Sequence, residues 1–563
     1  MAGGVLPPRA WRGLLAAASE EWRATPFYRL MLRGGDPERI TQWGRDVRTG
    51  DFARGMDIVR GSWRIASEKL PVMAPVPWSA PPPSLHFAAR LHSFSWLIDV
   101  ASVGVSGHEA ASALIDSWVE GFGRDFHAAA WAPELVAERL YAWLCHGRHA
   151  FEQGDPARRP ELLRSLARQA RHLQLAVQDL REPLSRVKAG AALVLAGVAG
   201  VPEGERLREE GEETLEEACA SQFLSDGGHQ SRSPQALFEA YCDLLTADDA
   251  LVRQGLETPR LVREALPRAA AMLRLFRMSD GKLFCANGGA EGLAASLEAA
   301  LREAPKAREY AFATTSGYQR LAAGDVVLIM DVGGAPAPAY GERAHAGALS
   351  FELSCGPDRI IVNVGSGMEL LPEWRAAGRA TNGHSTLVID DALSAVFSQR
   401  RAGRGAAHPI GPIVGQKRTE EDDGVLIDAH HDGYRAQYGY LHRRRVFLSS
   451  DGKQMWGQDA ASPPLGGARA GLKPAAFAVR FHLHPTVRAE RSDVHQMTLT
   501  PPNGPAWNFV TDARRMEIEH SIHLSGAAGP QRARQIVLYG VTDPSAPEDR
   551  SPNLVKWKRS RGA

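Results

Sequence analysis

The feature that most constrains the fold is a change of hydrophobic period near residue 310. Before this point apolar residues recur at helical spacing, and the segments are bounded by glycine, proline or polar residues. These segments lie at about 86–98, 108–121, 133–151, 160–178, 183–199, 204–224, 234–254 and 259–278. Because no strand pattern intervenes, we predict an all-helical domain of stacked hairpins that form an arc or a toroid.

The second half of the chain shows short apolar runs separated by glycine-rich, proline-rich or charged turns. These runs lie at about 350–354, 359–364, 385–390, 424–430, 440–449, 475–483, 495–499, 516–524 and 534–540. They predict an antiparallel all-β domain, a sandwich of large sheets. The alternating run at 516–524 places His520 on the apolar face and His523 on the polar face. The basic segment from Lys556 to Arg561 is interpreted as a tail.

A chain of 563 residues is too long for one ordinary domain, which favours two large ones. The stretch from Pro71 to Pro83 contains six prolines and is interpreted as an extended connector. We therefore predict an N-terminal extension and linker at 1–80, a helical domain at 81–310 and a β-sandwich domain at 311–563. Within the extension, the segment from Trp11 to Leu32 is predicted to form one or two amphipathic helices.

Charge and composition argue against several classes of function. The formal net charge is +1, so no wide nucleic-acid-binding face is predicted. Five scattered cysteines without a CxxC pair indicate buried thiols in a reducing compartment. The N-terminus lacks a secretory signal, and the longest run of small apolar residues, Ala191 to Val201, is too short to span a bilayer. We predict a soluble, cytoplasmic protein, and leave export to the periplasm or cell envelope by another route open.

A loop between two helical segments carries the first candidate site residues. The stretch from Asp226 to Pro234 contains two glycines, two serines and a proline, which predicts a structured loop with Ser233 as the N-cap of the next helix. Such a loop presents His229 and Arg232 from a turn, and loops on rigid scaffolds often carry binding residues. The alternative is an exposed loop with incidental polar side chains.

A predicted hairpin brings three more polar residues together. The run at 350–354 is followed by a Gly-Pro-Asp turn, so it can pair with the run at 359–364. This pairing is expected to bring His345, Asn363 and His384 close to one another. The alternative is that all three are ordinary polar residues at strand ends.

Two further segments are candidates for contact with an acidic sugar. Trp374 beside Arg375 suits a sugar ring and its carboxylate, although an ordinary surface tryptophan is an equal alternative. The basic loop from Gln399 to Arg404 is a weaker candidate, because runs of charge are usually just solvated.

Several motifs follow one another in a fixed order along this chain. They are Asp226-Gly-Gly-His-x-x-Arg-Ser-Pro234, His345-Ala-x-Ala-Leu-Ser-Phe-Glu-Leu353, His384-Ser-Thr-Leu-Val-Ile389, His431-Asp-Gly-Tyr434 and Gln535-Ile-Val-Leu538. The series resembles the heparinase II/III family of polysaccharide lyases and their relatives, from about residue 80 to about residue 545. The resemblance implies an N-terminal (α/α) toroid followed by a C-terminal antiparallel β-sandwich, with the substrate cleft between them.

The chemistry implied by this resemblance is β-elimination on an acidic, uronate-containing polysaccharide or oligosaccharide. A base removes the proton at C5 and the glycosidic oxygen at C4 then leaves. His229 matches the position that neutralises the substrate carboxylate, and Arg232 would reinforce it. Tyr340 is the first choice for the proton-transferring tyrosine, ahead of Tyr434 and Tyr241.

The remaining candidates would form the opposite wall of the cleft. There His345 would take part in catalysis or hold a metal, and Arg343, Trp374 and Arg375 would contact the substrate. Metal-binding relatives have His, Asp and His at the positions of His345, Asn363 and His384. Asn363 has a neutral amide where those relatives have an anionic carboxylate, so zinc should bind less well here. We therefore expect that no cofactor is required, and leave a bound zinc ion open as the alternative.

Departures from the family pattern leave open whether this chain is an enzyme. This chain has Arg343 where relatives often carry a histidine, and it has Asn363 where metal-binding relatives carry an aspartate. The alternative function is therefore a non-catalytic glycan-binding or assembly protein on the same scaffold. A glycoside hydrolase would need two carboxylates that flank the scissile bond, and the sequence offers no convincing pair.

Overall fold

The long helices all precede the large sheets in the structure, as the change of period predicts. The structure is a computed structural model that describes residues 21–561 except 24, 125, 128, 305–309, 369, 371, 398–408, 413, 465–470, 526–528 and 547–551. The helices before residue 310 are α1 Pro26–Met31, α2 Phe52–Val59, α3 Leu85–His92, α4 Leu97–Ala101, α5 Val105–Phe122, α6 Pro133–His146, α7 Arg148–Glu152, α8 Arg159–Ala176, α9 Pro183–Val198, α10 Gly204–Gln222, α11 Pro234–Arg253, α12 Arg260–Phe276 and α13 Ala294–Arg302. The predicted helix at Trp11 to Leu32 lies partly outside the described residues, and its described part contains α1.

The central helix of the helical half is α9, which packs mainly against three other helices. Helix α9 packs against α6 and α11 as well as against its chain neighbour α10. Its buried residues are mostly alanine, valine and leucine, and this small-apolar run is therefore a core helix. Gly190 and Gly211 let α9 and α10 approach closely, because a Cβ on Gly190 would lie 2.8 Å from the side chain of Leu215. Among the described helices, none has both the length and the apolarity that a bilayer span requires.

The strands of the second half form, for the most part, two large antiparallel sheets. After the short pair β1 Arg64–Ile65 and β2 Glu68–Lys69, they are β3 Phe312–Ala313, β4 Tyr318–Ala323, β5 Val326–Asp331, β6 Phe351–Cys355, β7 Asp358–Val362, β8 Leu387–Ile389, β9 Val396–Phe397, β10 Pro409–Ile410, β11 Val414–Glu421, β12 Gly424–His431, β13 Leu441–Ser449, β14 Gln454–Ser462, β15 Ala476–Leu483, β16 Arg488–Asp493, β17 Gln496–Thr500, β18 Trp507–Thr511, β19 Arg515–His523, β20 Gln531–Val541 and β21 Leu554–Arg561. One sheet has the order β11-β12-β13-β14-β21-β18-β17-β16. The other has the order β19-β20-β15-β7-β6-β5-β4-β3, with β8 paired to β15. Among the described strands, β9 and β10 pair only with each other. Two short helices, α14 Pro372–Arg379 and α15 Arg435–Tyr438, lie between strands.

The two sheets pack face to face as a β-sandwich. Trp557 of β21 stacks on Phe351 of β6 with ring centroids 5.8 Å apart, which joins the sheets through their buried faces. The predicted hairpin is confirmed, since β6 and β7 pair in antiparallel register. The prediction of a basic tail is wrong, because β21 lies between β14 and β18 inside a sheet. Its lysines alternate outward while Val555, Trp557 and Arg559 point inward.

The predicted facing of strand β19 is also wrong. His520 is exposed, whereas His523, predicted on the polar face, is buried with 2% of its surface accessible. The reason is that the middle of β19 has no fully buried face, so apolar alternation does not decide its orientation. His523 instead finds a carboxylate partner, Glu291, in the segment that connects α12 with α13.

Candidate functional site

The loop between α10 and α11 joins the toroid to the sandwich. The Asp226 carboxylate accepts hydrogen bonds from the backbone N–H of Thr315 and of Ser316, at 2.9 and 2.7 Å. Gly227 has φ +87°, and a Cβ there would lie 2.3 Å from the carbonyl oxygen of Arg268. The predicted N-cap is confirmed, since the Ser233 hydroxyl accepts from the first turn of α11. The loop is therefore built into the boundary between the two halves.

His229 lies in this loop with both ring nitrogens engaged. Nε2 donates to Oε1 of Gln222 at 3.2 Å, and Nδ1 accepts from the backbone N–H of Ser231 at 3.1 Å and lies 2.7 Å from its hydroxyl. Only 1% of the residue is exposed. As placed, the imidazole has no free N–H to offer a substrate carboxylate.

Tyr340 is the predicted tyrosine that the structure brings to His229. It ends a short 3-10 turn, Pro338–Tyr340, and its ring meets the His229 ring edge-on with centroids 5.1 Å apart. Burial raises the pKa of the Tyr340 phenol well above its ordinary value, so the phenol is protonated at neutral pH. The other two candidate tyrosines lie in the core, where Tyr434 donates to the Leu387 carbonyl at 3.0 Å and Tyr241 lies on buried α11.

Arg343 follows Tyr340 in the same loop and lies at the edge of this pair. Its Nη2 is 3.7 Å from a carboxylate oxygen of Glu182, the N-cap of α9, and its side chain is 23% exposed. Arg379 on α14 braces the loop by donating to the carbonyls of Gly341 and Ala344, both at 2.9 Å. Arg343 is thus a partly accessible guanidinium beside the buried His229.

Arg232, predicted to contact substrate, is buried in an internal network. Its guanidinium forms an ion pair with Asp331 of β5 and donates to the backbone carbonyls of Ser316, Gly317 and Gly334. The residue is held at φ +56°, a left-handed conformation that a non-glycine side chain rarely adopts. The structure therefore uses this arginine to tie the loop to the first strands of the sandwich.

His345 and His384 lie in contact, linked by a chain of hydrogen bonds. The Gly288 N–H donates to His345 Nε2 at 3.0 Å, His345 Nδ1 donates to His384 Nε2 at 3.2 Å, and His384 Nδ1 donates to the Ala380 carbonyl at 2.8 Å. Asn363 lies next to them and accepts from the Ser385 N–H at 3.0 Å. As placed, each ring nitrogen of His345 and His384 has a hydrogen-bond partner within the protein, and zinc at this set stays a prediction.

The last predicted contacts lie on α14 and in the basic loop. Trp374 is half-buried, and Arg375 donates to the Met368 carbonyl at 2.8 Å. The Met368 side chain in turn lies near Gly288, beside Arg343, so α14 stands at one side of the cluster. The basic loop from Gln399 to Arg404 lies outside the described residues.

Asn287 is a site residue that sequence reasoning missed. Its side chain accepts from the His345 N–H at 3.1 Å and donates to the Arg232 carbonyl at 3.3 Å. It thereby joins the α10–α11 loop directly to the stretch that contains His345. A lone asparagine in a glycine-rich segment carries no motif, although its φ of +45° is a conformation that asparagine tolerates better than most residues.

A small cavity adjoins part of this cluster. This cavity, lined by Arg232, Asp331 and His345, among others, has a volume of about 10 Å³, at the lower limit for one water molecule. A larger cavity of about 480 Å³ lies elsewhere, between α12, α13 and β4, and is lined by Arg274, Arg277, Arg302 and Arg320 with Glu298.

Acid is expected to destabilise the fold partly through His229. Burial lowers the pKa of His229 from 6.5 to about 3, and the positive charge of Arg343 adds to the shift. The unfolded chain therefore binds one more proton, so the stabilisation is complete above about pH 6.5 and is lost as pH falls toward 3. We expect His229→Gln to flatten the pH dependence of the free energy of unfolding by about 1.4 kcal/mol per pH unit between pH 6 and 4.

Urea unfolding of the wild type and the variant at several pH values measures this slope. His520→Gln, at an exposed position of β19, is the matched control and should leave the slope unchanged. Equal slopes for wild type and His229→Gln would contradict the burial of a neutral imidazole.

This chain is similar in sequence to known proteins. Residues 305–558 match the family model described as heparinase II/III-like, C-terminal. The whole chain is also 31% identical over 582 aligned residues to FtsZ-localized protein C of Caulobacter vibrioides, covering 99% of this chain and 96% of that protein. The chain belongs to the heparinase II/III-like family.

Solved structures of heparinases share this fold. Heparinase III superposes with a TM-score of 0.69 at 14% identity, covering 98% of this chain and 91% of that one. A mutant of the heparan sulfate lyase HepC of Pedobacter heparinus gives a TM-score of 0.59 at 14% identity, covering 95% of this chain and 88% of that one. The (α/α) toroid followed by an antiparallel β-sandwich is thus the architecture of heparinase III, and this family member has a polysaccharide lyase-like scaffold.

Proposed function

We propose that this chain is a non-catalytic assembly protein that associates with FtsZ and retains a lyase scaffold. The observation that carries the proposal is the 31% identity to FtsZ-localized protein C across 99% of the chain. Because the match covers both the toroid and the sandwich, we propose that association with FtsZ requires the whole chain.

The hydrogen bonds of His229 and Arg232 support the proposal that the chain does not catalyse polysaccharide cleavage. Both ring nitrogens of His229 have partners inside the protein, and Arg232 is paired with Asp331. A group that neutralises developing charge must have its donors aimed at the substrate instead. The cavity beside Arg232 and His345 has a volume of only about 10 Å³, which supports the same conclusion.

The cysteines support a reducing compartment for this function. All five are free, and burial raises the pKa of the Cys219 thiol to about 12. Buried thiols of this kind are unreactive and are typical of proteins kept reduced in the cytoplasm.

Imaging tests the proposed association with FtsZ. A fluorescent fusion of the full chain, expressed in the organism that carries its gene, should form a band that coincides with labelled FtsZ. The fluorescent protein alone is the control and should be diffuse. A fusion that is folded and diffuse throughout division would contradict the proposal.

A second candidate function is β-elimination on an acidic polysaccharide. The observation that favours it is the edge-on contact of Tyr340 with His229, with Arg343 beside them. In such a reaction the Tyr340 phenol would give its proton to the C4 oxygen as the C4–O bond breaks and would take the C5 proton in its place, so that a C4=C5 double bond forms.

Ultraviolet absorbance of the unsaturated product tests this second function. If the chain is a lyase, Tyr340→Phe should lower kcat at least 100-fold, the usual contribution of a positioned acid–base group. Tyr438→Phe, in a partly exposed helix of the sandwich, is the matched control and should keep full activity. Folded wild-type protein that releases no unsaturated product from uronate polymers would exclude this function.

A further inference from the structure

Three side chains from distant parts of the chain meet at a point that the lyase resemblance does not involve. Glu291 lies in the segment between α12 and α13, His484 directly follows β15, and His523 ends β19. His523 Nε2 is 3.0 Å from Oε1 of Glu291, and His484 Nε2 is 3.9 Å from the same oxygen. One ligand atom from each residue lies within 4.8 Å of the other two.

Both imidazoles can turn an unprotonated nitrogen toward Glu291. His484 Nδ1 lies 2.7 Å from the Thr486 hydroxyl and 3.4 Å from the Thr486 backbone N–H. In the tautomer that protonates Nδ1 the hydroxyl accepts, and Nε2 then has a free electron pair. As placed, His523 Nε2 donates to Oε1 of Glu291 at 3.0 Å, while its Nδ1 has no hydrogen-bond partner in the described part of the chain, so the proton can move to Nδ1 when a cation takes its place.

The charges around the three residues tolerate a cation. Lys282 donates to Oε2 of Glu291 at 2.9 Å, which leaves Oε1 facing the histidines. Arg359 donates to Asp280 at 2.8 Å and to Glu352 at 3.2 Å, and its closest approach to Glu291 is 3.8 Å. Arg359 thus lies 3.8 Å from Oε1 of Glu291, the oxygen that faces the histidines, but its closer partners are Asp280 and Glu352.

We propose that Glu291, His484 and His523 bind one Zn²⁺, with water as the fourth ligand. Two imidazoles and one carboxylate are a ligand set that zinc accepts in tetrahedral geometry. Ligand atoms about 2.0–2.1 Å from such an ion lie roughly 3.3 Å apart, within the range of the two separations to Glu291. The half-buried His484 gives the ion a route from solvent.

The ion would fasten the α12–α13 segment to the large sheet that contains β15 and β19. That segment also carries Asn287 and Gly288, whose hydrogen bonds hold His345. Zinc at this point would therefore hold together the junction between the toroid and the sandwich, and its role would be structural.

Metal titration of the full chain tests the site. Protein stripped with a chelator should bind one equivalent of Zn²⁺ by calorimetry, and Co²⁺ in its place should give the intense visible absorption of a tetrahedral site. The affinity should fall at least tenfold in His484→Asn, His523→Asn and Glu291→Gln. Zinc should also raise the melting temperature of the wild type by several degrees and leave that of His484→Asn unchanged.

Two control variants locate the ion. His520→Asn, exposed on the same strand as His523, should bind zinc like the wild type. His345→Asn should also retain the ion, because His345 belongs to a different cluster. If His523→Asn does not fold, the partly exposed His484→Asn and Glu291→Gln decide the result. No bound equivalent in folded wild-type protein, or an ion that is lost in His345→Asn and kept in His484→Asn, would overturn the proposal.

Discussion

Replacing Arg232 with alanine is expected to lower the free energy of unfolding by about 3–5 kcal/mol. The substitution leaves the buried carboxylate of Asp331 without its cation. It also removes the donors to the carbonyls of Ser316, Gly317 and Gly334. An uncompensated buried charge is among the largest effects that a single substitution produces.

Denaturant unfolding measures this loss, and a second arginine provides the control. Arg343→Ala, at a partly exposed position in the same cluster, should cost less than about 1 kcal/mol because its pairing with Glu182 is long and solvated. If Arg232→Ala keeps a stability within about 1 kcal/mol of the wild type, Arg232 does not tie the loop to the sandwich and is free to bind a ligand.

Replacing Asp459 with alanine is expected to have an effect of similar size in the sandwich. This carboxylate, fully buried, accepts from His442 Nε2 at 2.8 Å, from Arg444 Nε at 2.7 Å and from the Trp557 indole at 2.9 Å. Arg444 also donates to the carbonyls of Leu349 and Ser385, which lie in the other half of the sandwich.

Without Asp459 the guanidinium of Arg444 would stay buried and unpaired, which costs about 3–5 kcal/mol. The midpoint and slope of urea unfolding test this expectation. Asp422→Ala, in the exposed turn between β11 and β12, is the matched control and should change stability by less than about 0.5 kcal/mol. A loss below about 1 kcal/mol for Asp459→Ala would mean that the two sheets are not joined through this network.

The spacing of apolar residues along the chain predicted the architecture well, because it indicates which face of each helix or strand is buried. Helical spacing in the first half and short alternating runs in the second fixed the order of the layers, and the turn at Gly356 fixed the β6–β7 hairpin. Strand β21 was missed because its outward residues are lysines, and a strand whose exposed face is fully charged resembles a solvated tail.

The site was harder to predict because the role of a charged residue depends on partners far away in sequence. Arg232 in a loop motif looks the same whether it faces a substrate or Asp331, which lies 99 positions further along. The predicted hairpin implied that His345 and His384 lie close together. It did not predict that their ring nitrogens form a hydrogen bond with each other. Gln222 and Asn287 hold His229 and His345 in place, and single amides leave no recognisable pattern in a sequence.

Cosedimentation with purified FtsZ polymers tests the proposed function most directly. Full-length protein should pellet with FtsZ assembled in GTP and stay in the supernatant with FtsZ in GDP or without FtsZ. Folded protein that remains in the supernatant in the presence of GTP-assembled FtsZ would contradict the proposed association.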